Sequence, residues 1–242
     1  MDWQTLADAL FPRGHSLSEI DHFLSGIAQS GEQTIAVVGT TGHAPIGVEI
    51  ALAQARFVLQ TVREHAGKHP RPPILMLVDT AGQRLRHRDE MLGINSYMAH
   101  LGKCVELARR EGHKVIALVY DQALSGGFIT SGLMADACYA LPDATIRVMG
   151  LPAMARITKV PEQRLVELAT SNPVFAPGPE NYLRMGGVQD IWRGDLAAQL
   201  EQALATTPAG DVRSRLGQER GGRNFTQRVI EAIMAGSDVL AP

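Results

Sequence analysis

The sequence predicts an α/β domain with parallel strand pairing, and three observations carry that expectation. Short apolar runs of strand length, rich in β-branched residues, occur at 34–39, 74–79 and 115–120. Between them lie longer stretches whose apolar residues recur at helical spacing. Strand and helix alternate three times, the pattern of parallel strands joined by crossover helices.

Taken in order, residues 3–10 place Trp3, Leu6, Ala7 and Leu10 on one helical face, and Pro12-Arg13-Gly14 ends that piece. Ser16 followed by Glu19 reads as a capping box, so a second short helix carrying Leu17, Ile20, Phe23, Leu24 and Ile27 is expected. The loop from Gly39 to Gly47 contains several glycines, but it has neither the Lys-Ser/Thr ending of a P-loop nor the spacing of a dinucleotide turn. A nucleotide-binding reading is therefore set aside. A helix over 47–65 carries two apolar stripes and is expected to be buried on two sides. A third helix over 89–111 has the stripe Ile94, Tyr97, Met98, Leu101, Val105 and Ala108, with Gly112 placed to end it.

Beyond 115–120, short strands are expected at 137–141 and 145–148, and after Pro152 the chain turns helical. Pro161 suits the start of a helix through Ala169, Pro179 that of a short helix closed by Gly186, and Asp195 the cap of a helix ending near Ala205. A last short strand is expected at 188–192, and Phe225, Val229, Ile230 and Ile233 mark a terminal amphipathic helix. Residues 1–205 read as one domain including the N-terminal helices, and 206–242 as a linker with a C-terminal helix. The alternation alone suits a flavodoxin-like doubly wound sheet equally well.

Composition narrows the function classes. The chain has 242 residues, 45% hydrophobic and 20% charged, with a formal net charge of −2. That balance supports neither disorder nor a field suited to nucleic acid or membrane. Cys104 and Cys138 sit in apolar contexts without metal-ligand spacing and read as buried thiols. The first residues lack a basic and apolar leader, and no apolar run reaches membrane-span length, so a cytoplasmic protein is expected.

The chemistry concentrates after the third strand, where Ser125, Gly126 and Gly127 turn the backbone into a helix. The first N–H groups of a helix lack intrahelical acceptors, and the helix dipole adds positive potential there. Two glycines remove the Cβ atoms that would keep a carbonyl away from those donors, which suits an oxyanion or enolate. The rival reading of the same residues is a tight turn that only permits close packing.

Three motifs, in order and spacing, resemble the carboxyltransferase branch of the crotonase superfamily. Leu77-Val-Asp79-Thr-Ala-Gly82-Gln resembles that family's Asp-Thr-Pro-Gly turn, Ser125-Gly126-Gly127 its helix start, and Arg147-Val-Met149-Gly150 its Val-Met-Gly loop. Residues 47–57 are similar to its Ala-x-Lys-Ala-Ala-Arg-Phe helix, and 181–192 to a segment in which glycine leads into Val-x-Asp-x-Ile. Within the branch, the chain resembles the gamma subunits of biotin-independent malonate decarboxylases. Ala81 replaces a proline of the first motif, and Leu151-Pro-Ala-Met replaces the usual Pro-Glu-Gly-Ala, departures that weigh against carboxyl transfer to biotin.

The resemblance implies a crotonase-like spiral of strand-strand-helix units with C-terminal helices. It implies decarboxylation of a malonyl thioester, with Gly126, Gly127 and Phe128 as backbone donors and Ser125, Gly82, Met149 and Gly150 shaping the substrate site. No directly bound cofactor or metal is implied, only the phosphopantetheine-type thioester arm of an acyl carrier protein. The implied partners are a paralogous beta subunit, the acyl carrier protein and an acyl transferase subunit. Two alternatives stay open: a noncatalytic scaffold subunit, and a Clp-like serine hydrolase using Ser125, although no Gly-x-Ser-x-Gly elbow surrounds it. Arg84, Arg86 and Arg88 read either as a phosphate site or, with Asp89 and Glu90 adjacent, as a self-paired helix start. His43 is a weak acid–base candidate on its loop, and His100 and His113 are weaker still.

Overall fold

The computed structural model describes residues 1–169, 178–208, 210–222 and 225–236. Helix α1 (Trp3–Leu10) is capped by Asp2, whose carboxylate accepts the Thr5 N–H at 2.8 Å, and it buries Leu6, Ala7 and Leu10. Where the capping-box pattern predicts a second helix, β1 (His15–Ile20) and β2 (Phe23–Ser30) form an antiparallel hairpin. The cause is local. Asp21 and His22 both take left-handed conformations, φ 51° and 66°, as the tightest right-twisted hairpin turns require. The apolar residues of this stretch also do not share one face, since Leu24 is buried while Ile20 and Ile27 are exposed.

Strand β3 (Gln33–Thr40) completes an antiparallel meander with β2, and α2 (Val48–Glu64) then crosses to β4 (Ile74–Thr80). The predicted third helix is two: α3 (His87–Met91) and α4 (Ile94–Arg110), separated at Gly93, whose φ of 75° no continuous helix accommodates. Strand β5 (Val115–Leu124) runs four residues past its predicted end. A single α-turn, α5 (Ser125–Phe128), passes into a π-helical turn over Ile129–Leu133. Then follow β6 (Ala137–Ala140), β7 (Thr145–Arg147), α6 (Leu151–Thr158), α7 (Glu162–Ala169), α8 (Glu180–Arg184) and β8 (Asp190–Ile191). The chain closes with α9 (Leu196–Thr206), α10 (Arg213–Glu219) and α11 (Thr226–Met234). Asp195 caps α9 as expected, accepting the Ala198 N–H at 3.0 Å.

The sheet runs β1-β2-β3-β4-β5-β6-β8, antiparallel through β3 and parallel beyond, with β7 continuing the edge of β5 past β6. Alternation along the strands fills two cores. Val38, Met76, Val78, Ala117 and Val119 pack with Ala55 and Val58 of α2 and Leu101 and Val105 of α4. Val37, Leu75, Leu77, Leu118 and Tyr120 pack on the opposite face with α1, α9 and Trp192. Covering both faces is what a parallel sheet needs, and it leaves the carboxyl ends of β4 and β5 to build a site.

Residues 213–220 pack against the body of the chain. Arg220 donates to the carbonyls of Leu183, Val188 and Gln189, and a Cβ on Gly186 would stand 2.1 Å from the carbonyl oxygen of Arg213. Phe225, just before α11, and Ile233 within it are exposed.

Candidate functional site

Two turns meet at the ends of β4 and β5. In the Asp79-Thr-Ala-Gly82 turn, the Thr80 hydroxyl donates to the Ala44 carbonyl at 2.7 Å and accepts the Gly82 N–H at 3.0 Å. The Gly82 carbonyl in turn accepts the Ile46 N–H at 2.7 Å. Gly82 takes φ 95°, and a Cβ there would lie 2.8 Å from the Ser125 Cβ and 2.9 Å from the Leu124 carbonyl oxygen. A Cβ on Gly127 would stand 3.0 Å from both Cα and C of Gly82. The turns are therefore in backbone contact, and glycine at 82 and 127 is what allows it.

Ser125 carries the reversal with φ 54°, in the left-handed region that a residue with a Cβ rarely enters. It starts α5, so the N–H groups of Gly126 and Gly127 fall in the first turn, where the helix supplies no acceptor. Phe128 is the fourth helical residue, and the i→i−4 pattern turns its N–H toward the carbonyl of Leu124. Of the three backbone positions expected, Gly126 and the buried Gly127 thus lack an acceptor within the helix, while the Phe128 ring packs into the core. That ring is 2% exposed, stands edge-on to Tyr182 at 5.9 Å, and occupies the space a Cβ on Gly132 would need. It anchors the turn to the core. Pairing of Leu124 with Arg147 brings β7 alongside, so that Met149 and Gly150, at the start of α6, follow directly beside the Ser125 turn.

Ser125 is exposed, and among the described residues no histidine hydrogen-bonds to it. The serine-hydrolase constellation of nucleophile and adjacent base is not assembled there. The arginines following the first turn are paired: Arg86 holds Asp89 at 2.5 Å and also faces Glu49, which pairs with Arg88. Asp89 is fully buried and accepts the Val48 N–H at 3.1 Å, capping α2 from another element. Arg86 beside it holds its carboxyl below the usual carboxylate range. Self-pairing, rather than a waiting phosphate site, describes Arg86 and Arg88.

A second cluster lies at the same strand ends. Buried Asp79 accepts the backbone N–H of His43 at 2.9 Å and that of Gln122 at 3.3 Å. The His43 ring nitrogen Nε2 stands 3.1 Å from Asp121 Oδ1 and 3.5 Å from Asp79 Oδ1. Burial pushes the Asp79 carboxyl up, the His43 N–H draws it down, and Asp121 adds to the rise. A bulge in β5 places Asp121 here: Val78 pairs with Val119 but Thr80 with Ala123, so extra residues crowd opposite the end of β4. Sequence reasoning weighed His43 alone and missed its two carboxylate neighbours. The available signal was an aspartate at the end of each of two apolar runs predicted to pair in parallel. His100 and His113 lie apart: His100 is beside Cys104, and His113 contacts the Pro72 carbonyl. Burial raises both cysteine thiols, Cys138 to about 12.

The chain as a whole is similar to several known proteins. A family model described as malonate decarboxylase gamma subunit (MdcE) matches residues 41–237. A Malonomonas rubra protein, malonyl-S-ACP:biotin-protein carboxyltransferase MADD, is 31% identical over 235 residues, covering 85% of this chain and 80% of its own. A Pseudomonas malonate decarboxylase MdcD–MdcE hetero-dimer structure superposes with a TM-score of 0.78 at 23% identity, covering 96% of this chain and 97% of that one. A Pseudomonas malonate decarboxylase hetero-tetramer in complex with coenzyme A gives 0.78 at 21% identity, covering 93% and 97%. Transcarboxylase 12S, with methylmalonyl-coenzyme A bound, gives 0.71 at 20% identity over 84% of this chain and 41% of that one. These structural likenesses support the crotonase-like fold expected from the motifs. Among the described residues no helix is long and apolar enough to cross a membrane.

Proposed function

The chain belongs to the malonate decarboxylase gamma-subunit family, and from that premise we propose that it completes a site in which a malonyl thioester on an acyl carrier protein loses CO2. Cleavage of the bond to the carboxylate releases CO2 and moves the electron pair through the α-carbon onto the thioester oxygen. Protonation at carbon then gives the acetyl thioester. Stabilising the oxygen-centred charge is the demand placed on the protein, and fixed N–H donors meet it without reorganisation. The observation that carries this reading is the turn at Gly126 and Gly127: two first-turn donors, uncovered by any side chain of their own, braced by backbone contact with Gly82. Ser125, Met149 and Gly150 frame the approach to them.

A paralogous beta subunit is proposed as the partner that closes the site, with a carrier protein presenting the phosphopantetheine-type arm and an acyl transferase subunit loading it. Two features support a multi-subunit setting: the hetero-oligomeric state named for the Pseudomonas proteins, and the exposed apolar side chains Val148, Ile157, Val166, Phe225 and Ile233. The likeness to MADD favours one second reading, transfer of the carboxyl group to a biotin protein instead of its release.

The test is CO2 release from malonyl carrier protein by the assembled complex, with and without avidin, for wild type and Gly126→Ala. A Cβ at 126 would meet only Gln83 Oε1, at 3.7 Å, so a methyl group fits there without a clash inside this chain. Activity lost in the assembled variant supports the oxyanion role, removal of a whole donor costing about 10²–10³. Full activity in the assembled variant moves this chain to a scaffold role, and avidin-sensitive turnover favours carboxyl transfer.

A further inference from the structure

We propose that His43, Asp79 and Asp121 form a binding site for a divalent first-row metal cation, ligated by His43 Nε2, Asp79 Oδ1 and Asp121 Oδ1. These three atoms lie within 4.8 Å of one another, with the imidazole nitrogen 3.1 Å and 3.5 Å from the two oxygens. Metal–ligand bonds of about 2.1 Å place neighbouring ligands about 3.0 Å apart in an octahedral shell and about 3.4 Å apart in a tetrahedral one. The separations from His43 match those of ligands around a common ion.

The cluster is held in place before any ion arrives. Gly42 and His43 both take left-handed conformations, φ 61° and 52°, turning the ring toward the strand ends. The loop is pinned from both sides: the His43 N–H donates to Asp79 Oδ2 at 2.9 Å, and its carbonyl accepts the Ala81 N–H at 3.2 Å. Asp79 therefore uses one oxygen to fix the loop and points the other at the ring, where the Gln122 N–H orients it. Such bonds from outside the ligand set fix donors in place around metals.

The three ligands open onto one cleft. Thr41 is 4% exposed, its hydroxyl has no hydrogen-bond partner, and it lines the cleft that His43, Asp79 and Asp121 share with Asp2, Glu19 and Tyr120. One imidazole with two carboxylates suits manganese or zinc, and three protein ligands leave positions open toward the cleft.

The experiment uses the full-length chain, stripped of metal with chelator, and titrates Zn2+ by calorimetry and Mn2+ by electron paramagnetic resonance. The expected result is one saturable site per chain for at least one ion. Asp121→Asn and His43→Asn should each weaken binding by more than about 10-fold. Glu19→Gln, which removes a charge from the same cleft but no ligand, should leave affinity unchanged, and circular dichroism confirms that each variant is folded. Absence of saturable binding by both ions overturns the site. So does a Glu19→Gln loss equal to that of Asp121→Asn, because a diffuse acidic field would then account for the binding. None of these readings depends on decarboxylase activity, so the outcome is separate from that of the oxyanion test.

Discussion

Replacing Gly127 with alanine tests whether backbone contact between the two turns sets the geometry of the site. The new Cβ would stand 3.0 Å from Cα and C of Gly82 and 3.2 Å from its carbonyl oxygen, whereas ordinary contact begins at 3.4 Å. No flexible side chain stands in between, so a backbone must yield by a few tenths of an ångström. Gly82 resists through its bonds to Thr80 and Ile46. Alanine gains about 1 kcal/mol of helix preference over glycine, against about 1–3 kcal/mol for overpacking, so the net change is a destabilisation of up to about 2 kcal/mol. Gly126→Ala gains the preference without the clash and should be neutral or up to about 1 kcal/mol more stable. Urea unfolding of the two variants beside wild type measures the difference. In the assembled complex, displacement of the turn should also slow CO2 release by about 10-fold or more, since misplacement near 1 Å costs about 10². If Gly127→Ala proves as stable as Gly126→Ala and fully active, the contact neither constrains the fold nor sets the chemistry.

Asp89→Ala removes the buried carboxylate that caps α2 and should cost about 1–3 kcal/mol in urea unfolding. Because Arg86 lowers the Asp89 carboxyl below its ordinary value of 3.8, this contribution is complete above about pH 4 and fades as the pH falls through the lowered folded-state value. Wild-type and variant stabilities should therefore converge at the acid end, and a difference constant with pH would contradict the pairing. Ser125→Ala should retain CO2 release, and a serine-reactive phosphonate should leave the wild-type complex unlabelled; inactivation with labelling would support the hydrolase alternative. Cys104 and Cys138, with thiols raised by burial, should resist alkylation at pH 8 in the native chain and react after unfolding, as mass spectrometry would show.

The two local errors in reading the sequence have different origins. Leu17, Ile20, Phe23, Leu24 and Ile27 fit a helical stripe, yet the same stretch forms a hairpin because the turn at Asp21-His22 and pairing with β3 outweigh a spacing that two periods share. The break at Gly93 was hidden because a glycine inside an apolar stripe can be tolerated without ending the helix. The arginines show the reverse: adjacent Asp89 already favoured pairing, but only the fold brought Glu49 to complete it.

By itself the sequence determined the alternation of strands and helices, the caps at Asp195 and Gly112, and the three small-residue turns whose order marks the family. Each depends on neighbours within a few residues, so periodicity, capping and glycine placement record it directly. Only the tertiary structure decided that Gly82 touches Gly127, that Phe128 anchors the turn through its ring, and that His43, Asp79 and Asp121 converge. Asp79 bonds residues 36 and 43 positions away along the chain. Such meetings arise where parallel strands of unequal length end side by side and a bulge absorbs the difference, a relation between segments that no single segment encodes.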